Sequence, residues 1–381
     1  MKSTIGRILR MMAAGMLCLP ALAQAPRPDP AFDVFAFVRA LDETGPKKLW
    51  PGFDPASWPV ALYDGEKTIL LRHPSPPPEF SPMPGRDGVL VMTGRYPAVT
   101  ANSTREIGGV RTATVLATPG QNPAGTLLAC VEEVFHVFWL ARHPAFRPDE
   151  MARYAYPVKD PENLRRLLAE DEALARALEA GVDSDAAGWA AAALRIRRER
   201  TAGLEPDVRA YETALEMMEG TANYVARRAA MESPGRTAER LRAKRPAEGI
   251  RWRFYDSGAA LCWLLDRLEP DWKVRSENRP DLAMVEILDA ALAARRDLQP
   301  QEFAATDLTG FQDRAAAGTA ELSGRQERLR QELMARPGSR IVLEAEAGAE
   351  PFRVERFDPI NLMVLEAGEV AHAHFITLAG A

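Results

Sequence analysis

The sequence predicts an α+β protein: a mainly helical body with N-terminal strands and a small C-terminal strand region. Three observations carry that prediction. Strand-like segments separated by turn signals crowd the stretch from Pro59 to Ala117. From Pro119-Gly120 onward, segment after segment has helical length and good helix formers. Pro337-Gly338 then closes the helical run, and short apolar alternations return. The boundaries drawn from these shifts are 1–23 as a signal peptide, 24–120 as a strand-rich region, 121–337 as the helical body and 338–381 as the strand tail.

Lys2, Arg7 and Arg10 precede an apolar run, Met11 to Ala23, that ends in Ala21-Leu22-Ala23-Gln24. Small residues at the two positions a signal peptidase reads predict cleavage after Ala23 and export to the periplasm or beyond. The run falls short of the roughly 20 apolar residues a permanent span requires, so no membrane anchor is expected. Residues 24–58 read as a Pro- and aromatic-rich lead-in with a short helix near Phe35–Leu41. Val60–Tyr63 and Thr68–Leu71 flank Asp64-Gly65, a hairpin signal. After a Pro-dense stretch, Pro74–Pro84, come strands at Gly88–Met92 and Gly109–Ala117. Helices are predicted at Leu127–Arg142, Pro161–Ala180, Ala186–Thr201, Pro206–Met231, Gly258–Leu268, Asp281–Arg295 and Thr319–Ala335. Tail strands are predicted at Arg340–Ala345, Phe352–Phe357, Leu362–Leu365 and His372–Leu378.

The formal net charge is −5, with no basic stripe or block, which argues against nucleic acid or an anionic membrane as partner. Cys130 and Cys262 follow the signal segment; both sit in apolar helical text, where a disulfide and two free thiols are both admissible.

Leu127–Leu140 reads LLACVEEVFHVFWL, apolar around its circumference except at Glu132, Glu133 and His136. Such a helix is buried on nearly all sides. Ionised carboxylates there are costly unless paired, and no Lys or Arg stands within four residues of the two acids. Glu132 and His136 share a face at i, i+4, with Glu133 slightly to the side, the geometry of two metal ligands and an adjacent base. An arginine from another helix would serve equally well, and the residues alone leave both open.

In Pro206–Met231, the acids Glu212, Glu216 and Glu219 stack on one stripe with no i+4 cation. A compensating charge must come from outside, either a metal or the basic run Arg195, Arg197, Arg198 and Arg200. Gly220 and Ala222 leave room for a close backbone approach. Weaker candidates are Glu369-Val370-Ala371-His372, a second Glu-x-x-His in strand text, and the alternating pair His372 and His374. His143 is expected to end its helix and His73 to lie at a strand end.

Together the two helices resemble the gluzincin branch of the zincin metallopeptidases, over residues from about 100 to 230. There, His-Glu-x-x-His on one helix supplies two zinc ligands and a general base, and a Glu on a later helix supplies the third ligand. Matched to Glu132-Glu133-Val134-Phe135-His136 and Glu219-Gly220-Thr221-Ala222, the resemblance implies Glu133 as catalytic base and Glu132, His136 and Glu219 as metal ligands. Glu132 departs from the family, which has His at that position. Zinc accepts carboxylate, but a doubly anionic set leans toward harder ions such as Mn or Fe. The resemblance also implies that the strand Gly109–Ala117 is the edge strand that holds a peptide or protein substrate. The expected function is an exported metal-dependent peptidase or amide hydrolase. The alternative is an inactive relative, with no metal, that acts as a periplasmic binding or interaction protein.

Overall fold

The structure, a computed structural model, describes residues 33–44, 48–117, 123–246, 249–296, 298–337, 353–357, 362–365, 369–372 and 376–379. The signal segment with its cleavage site, the strand expected at Arg340–Ala345 and His374 lie outside the described residues.

Helix α1 (Val34–Asp42) is capped by Asp33, whose carboxylate accepts from the Ala36 amide at 2.9 Å. The hairpin of β1 (Val60–Tyr63) and β2 (Lys67–Leu71) turns at Gly65, where φ is +103°. The Asp64 side chain holds that turn by accepting from the Glu66 and Lys67 amides at 3.0 and 2.9 Å. Four more strands follow: β3 (Ser81–Pro82), β4 (Val89–Thr93), β5 (Ser103–Ile107) and β6 (Val110–Leu116). They form one sheet in the order β3-β4-β2-β1-β6-β5. β1 and β6 pair in parallel, while the other neighbours run antiparallel.

The strand Gly109–Ala117 is therefore not the edge strand that the resemblance implied. It is β6, held between β1 and β5, and the edge belongs to β5. β5 reads Ser-Thr-Arg-Glu-Ile, with a single aliphatic residue, so no alternation marks it in the sequence. Both faces of the sheet are covered. Val60, Leu62, Ala113 and Val115 join the main core, and Ala61, Leu70 and Ile107 join a smaller cluster with Phe80 and Val99.

Helix α2 (Pro123–Arg142) packs on the main-core face. Phe135, Phe138 and Trp139 are buried, and Trp50 meets Phe135 and Trp139 edge-on at 5.5 Å each. Burial of this kind contributes about 1.5–3 kcal/mol per large apolar side chain. The body continues with α3 (Pro161–Glu179), α4 (Asp183–Thr201) and α5 (Pro206–Leu215). A π-helical turn (Glu216–Gly220) joins α5 directly to α6 (Thr221–Ala229). Then come α7 (Pro234–Arg242), α8 (Ile250–Leu268), α9 (Trp272–Asn278), α10 (Met284–Ala293) and α11 (Ala305–Ala335). The tail forms two antiparallel pairs from β7 (Arg353–Phe357), β8 (Leu362–Val364), β9 (Val370–His372) and β10 (Ile376–Ala379): β7 with β10, and β8 with β9. Gln326 of α11 donates to the Val364 carbonyl at 2.8 Å, which ties β8 to the body. The chain is thus α+β, helical in its body, with strands before and after.

Cys130 and Cys262 are free, buried thiols. Helix α8 crosses the π turn at very short range. A Cβ on Gly220 would lie 2.5 Å from Gly258 Cα, and one on Gly258 would lie 2.6 Å from the Glu216 carbonyl oxygen. Those contacts are backbone and cannot swing away. Gly258→Ala should therefore cost about 1–3 kcal/mol through overpacking, read as a lower urea midpoint at unchanged slope. A midpoint equal to wild type would show that the two backbones are not held this close.

Candidate metal centre

Four residues singled out in the sequence converge, although Glu219 follows His136 by 83 positions (219 − 136). α2 packs against α6 and touches the π turn, which brings Glu219 to the polar face of α2. His136 Nε2 lies 3.1 Å from Glu219 Oε2. One ligand atom each from Glu132, His136 and Glu219 lie within 4.8 Å of one another. Glu133, next on the helix, perturbs the His136 charge and is perturbed by Arg105 of the edge strand β5. His136 and Glu219 are buried, whereas Glu132 and Glu133 are partly open to solvent.

The π turn explains why Glu219 parts from the acids before it. In an unbroken α-helix, Glu212, Glu216 and Glu219 would share a stripe. Here Glu212 and Glu216 face the arginines of α4, and Glu219 faces α2. Single π turns of this kind recur at functional sites.

Charge at the site is unbalanced. Among the described residues no cation forms an ion pair with Glu132 or Glu133. Burial raises both carboxyls to about 7 against the pull of His136. Burial opposes a charge on His136, yet Glu219 beside it, and then Glu133 and Glu132, raise the imidazole to about 9. For Glu219, burial is outweighed by His136, Arg251 and Tyr255, which hold its carboxyl below the ordinary value. An arginine does reach the cluster, but from the far side. Arg251 takes Glu219 Oε1 at 2.7 Å, bonds Glu150 at 2.6 Å and reaches the Tyr255 hydroxyl at 3.4 Å. Glu219 Oε2 stays with His136, whose Nδ1 is buried with no hydrogen-bond partner.

Two carboxyls, Glu132 and Glu219, beside the His136 imidazole form a donor set that a divalent ion fits: carboxylate oxygens and a ring nitrogen at converging distance. The group can hold a metal ion. A second trio, Glu170, Glu212 and Glu216, is equally close but already filled. Arg197 bonds Glu170 and Glu216 at 2.6 Å each, Arg200 pairs with Glu170 at 2.9 Å, and Arg253 pairs with Glu170 at 2.8 Å. The basic run of α4 thus answers Glu212 and Glu216, one of the two alternatives the sequence left open, while Glu219 takes the other face.

The remaining candidates are spent elsewhere. Glu369 pairs with Arg330 of α11 at 2.7 Å, and the Val370–His372 backbone of the second Glu-x-x-His forms strand β9. His143 follows the last residue of α2, stacks on Trp139 at 3.6 Å and meets Glu277 at 3.3 Å. His73 Nε2 lies 3.0 Å from the Ile107 carbonyl oxygen. Sequence reasoning missed Arg251, Tyr255 and Glu150. Arg251 and Tyr255 stand at i, i+4 at the start of α8, whose beginning the apolar pattern placed eight residues too late (258 − 250). Comparison with protein-family models, curated proteins and solved structures returns no match for this chain.

Any metal binding at this cluster is linked to protons. In the metal-free protein, His136 is raised, so its contribution is complete below the ordinary histidine value of about 6.5 and is lost as pH rises through about 9. Glu132 and Glu133 are also raised, so ionising them on the way to about 7 costs stability as well. Glu219 is lowered and acts only in the acid range. Chelated protein should therefore lose urea resistance between pH 5 and 9, and zinc should restore it most at the alkaline end, because ligand deprotonation favours the ion. A zinc-induced stabilisation that is flat across this range would contradict the assignment.

Proposed function

We propose that the chain is an exported, metal-dependent hydrolase of peptide or amide bonds, of gluzincin type, with zinc the first candidate for the ion. The observation that carries this reading is the convergence of Glu132, His136 and Glu219, with Glu133 one residue along α2. Glu132, His136 and Glu219 would hold the ion, which when bound polarises a carbonyl and acidifies water at the site. Glu133 takes the water proton and passes it to the leaving amine. In the metal-free protein burial chiefly raises its carboxyl to about 7, and a bound cation beside it would favour the carboxylate form that a base requires. The exposed edge β5, which carries Arg105 near Glu133, offers unpaired backbone to an extended peptide or protein substrate. No helix among the described residues is long and apolar enough to cross a membrane.

Glu132 favours a second reading, a relative that has lost the ligand imidazole and binds a partner without turnover. Elemental analysis of the purified protein before and after chelation separates the two, together with cleavage of a peptide library. Stoichiometric metal and chelator-sensitive cleavage support the hydrolase. Metal-free protein that cannot be loaded with zinc, manganese or iron removes it.

A further inference from the structure

Helices α3, α7, α8 and α11 enclose a cavity of 460 Å³ to which the metal centre contributes no residue. Its wall is aliphatic: Leu164, Leu167 and Leu168 of α3, Leu241 of α7 and Ile250 of α8. Gly318 of α11 keeps it open, since a Cβ there would lie 3.1 Å from Leu164 Cδ2. Around the wall stand five cations, Arg242, Lys244, Arg245, Arg314 and Arg325, against a single peripheral acid, Glu321. In a chain of net charge −5, that is a local reversal of sign.

Four of these cations, all but Arg314, are engaged. Arg242 pairs with Glu172 and Glu179, Lys244 with Glu321 at 3.0 Å, and Arg245 with Asp256 at 2.6 Å. Arg314 is exposed and has no ion pair among the described residues. The inner end is polar and closed. Arg253 bonds Asp171 at 2.9 Å, and its Nη1 is buried with no hydrogen-bond partner. Asp171 and Glu170 beside it disfavour a second anion at that depth.

We propose that this cavity binds a single-chain amphiphile, with an aliphatic tail along the leucine wall and a carboxylate head at Arg314. The volume lies within the range of small-molecule sites, and an aliphatic wall with few placed charges is their usual composition. A guanidinium with uncommitted donors matches a carboxylate in two-point geometry. The surrounding cations raise the local concentration of anions and exclude cationic amphiphiles.

The test is displacement of a fluorescent fatty acid from the full mature protein, below micellar concentrations, by dodecanoate, dodecanol and dodecyltrimethylammonium. Dodecanoate should displace the probe at micromolar concentration, dodecanol about tenfold less well, and the ammonium not at all. Arg314→Glu should weaken dodecanoate about tenfold and leave dodecanol within about twofold. Gly318→Leu, which fills the space against Leu164, should weaken both ligands, with an unchanged circular-dichroism spectrum showing that the fold persists. No displacement by dodecanoate overturns the proposal. So does equal binding of dodecanoate and the ammonium, or a dodecanoate affinity that Arg314→Glu leaves intact.

Discussion

Replacing Glu132 by histidine should raise zinc affinity on the order of tenfold, and in that background Glu133→Ala should cut hydrolysis by about 10²–10⁴ while leaving zinc bound. The affinity gain rests on imidazole being the better-matched ligand for zinc, and the gain in rate is electrostatic. With Glu132 and Glu219 both coordinated, two carboxylates cancel the charge of a divalent ion. A neutral imidazole at position 132, on the same face of α2 as His136, leaves one positive charge on the ion. That charge lowers the pKa of water at the site toward the value near 7 of working zinc hydrolases. It also removes one of the two carboxyls that burial holds near 7, so the metal-free variant should lose less stability than wild type as pH rises from about 4.5 to about 7. Glu133 is not a ligand in this arrangement, so its loss should be read in rate and not in metal content. Wild type hydrolysing peptides as fast as Glu132→His would show that position 132 needs no imidazole. Neither protein retaining stoichiometric metal would remove the metal centre, leaving the binding-protein reading.

The polar residues of α2 were legible because they break an otherwise apolar helix. Burial makes an unpaired acid conspicuous, and Glu132, Glu133 and His136 had no local explanation. From residue types alone Glu219 was one of three acids on a stripe, and only the gluzincin resemblance singled it out; the stripe itself was misleading. A π turn cannot be read from residue types, so nothing in Glu216-Met217-Met218-Glu219-Gly220 announces that Glu219 faces the other way. Gly220 was a usable clue, since its missing side chain admits Gly258. Helix α8 was cut short because Arg251 and Arg253 interrupt its apolar pattern, although Arg253 is buried and paired with Asp171 and Glu170. The same cause hid α7, whose text is largely charged. The edge strand β5 escaped because an edge needs no alternation: its Arg105 and Glu106 stay exposed.

The ion-paired interior supplies the largest stability effect. Arg200 has a fully inaccessible side chain and is shared among Glu170, Glu212 and Tyr156, with bonds of 2.9, 2.8 and 3.0 Å. Arg200→Leu would leave Glu170 with Arg197 and Arg253, but would leave Glu212 with only the Tyr156 hydroxyl at 3.1 Å. Removing one partner of a buried pair costs about 3–5 kcal/mol because the remaining charge is stranded, a large share of the roughly 5–15 kcal/mol that holds a typical domain folded. Arg200→Lys keeps the charge but not the fork that spans two carboxylates, so its cost should fall between the two. The pH dependence identifies the mechanism. In wild type, arginine neighbours hold Glu170 and Glu212 below the ordinary carboxylate range against the effect of burial, so their contribution is present above about pH 4.5 and lost in acid. In Arg200→Leu, the Glu212 carboxyl should instead rise and take up a proton as pH falls. The deficit, measured by urea unfolding, should be greatest near pH 7.5 and shrink toward pH 5. A deficit that is constant with pH would assign the loss to packing of the arginine stem. Zinc content should not change, because Glu219 has already turned from this network to His136; a folded Arg200→Leu protein that no longer binds zinc would show that the two acid clusters act as one.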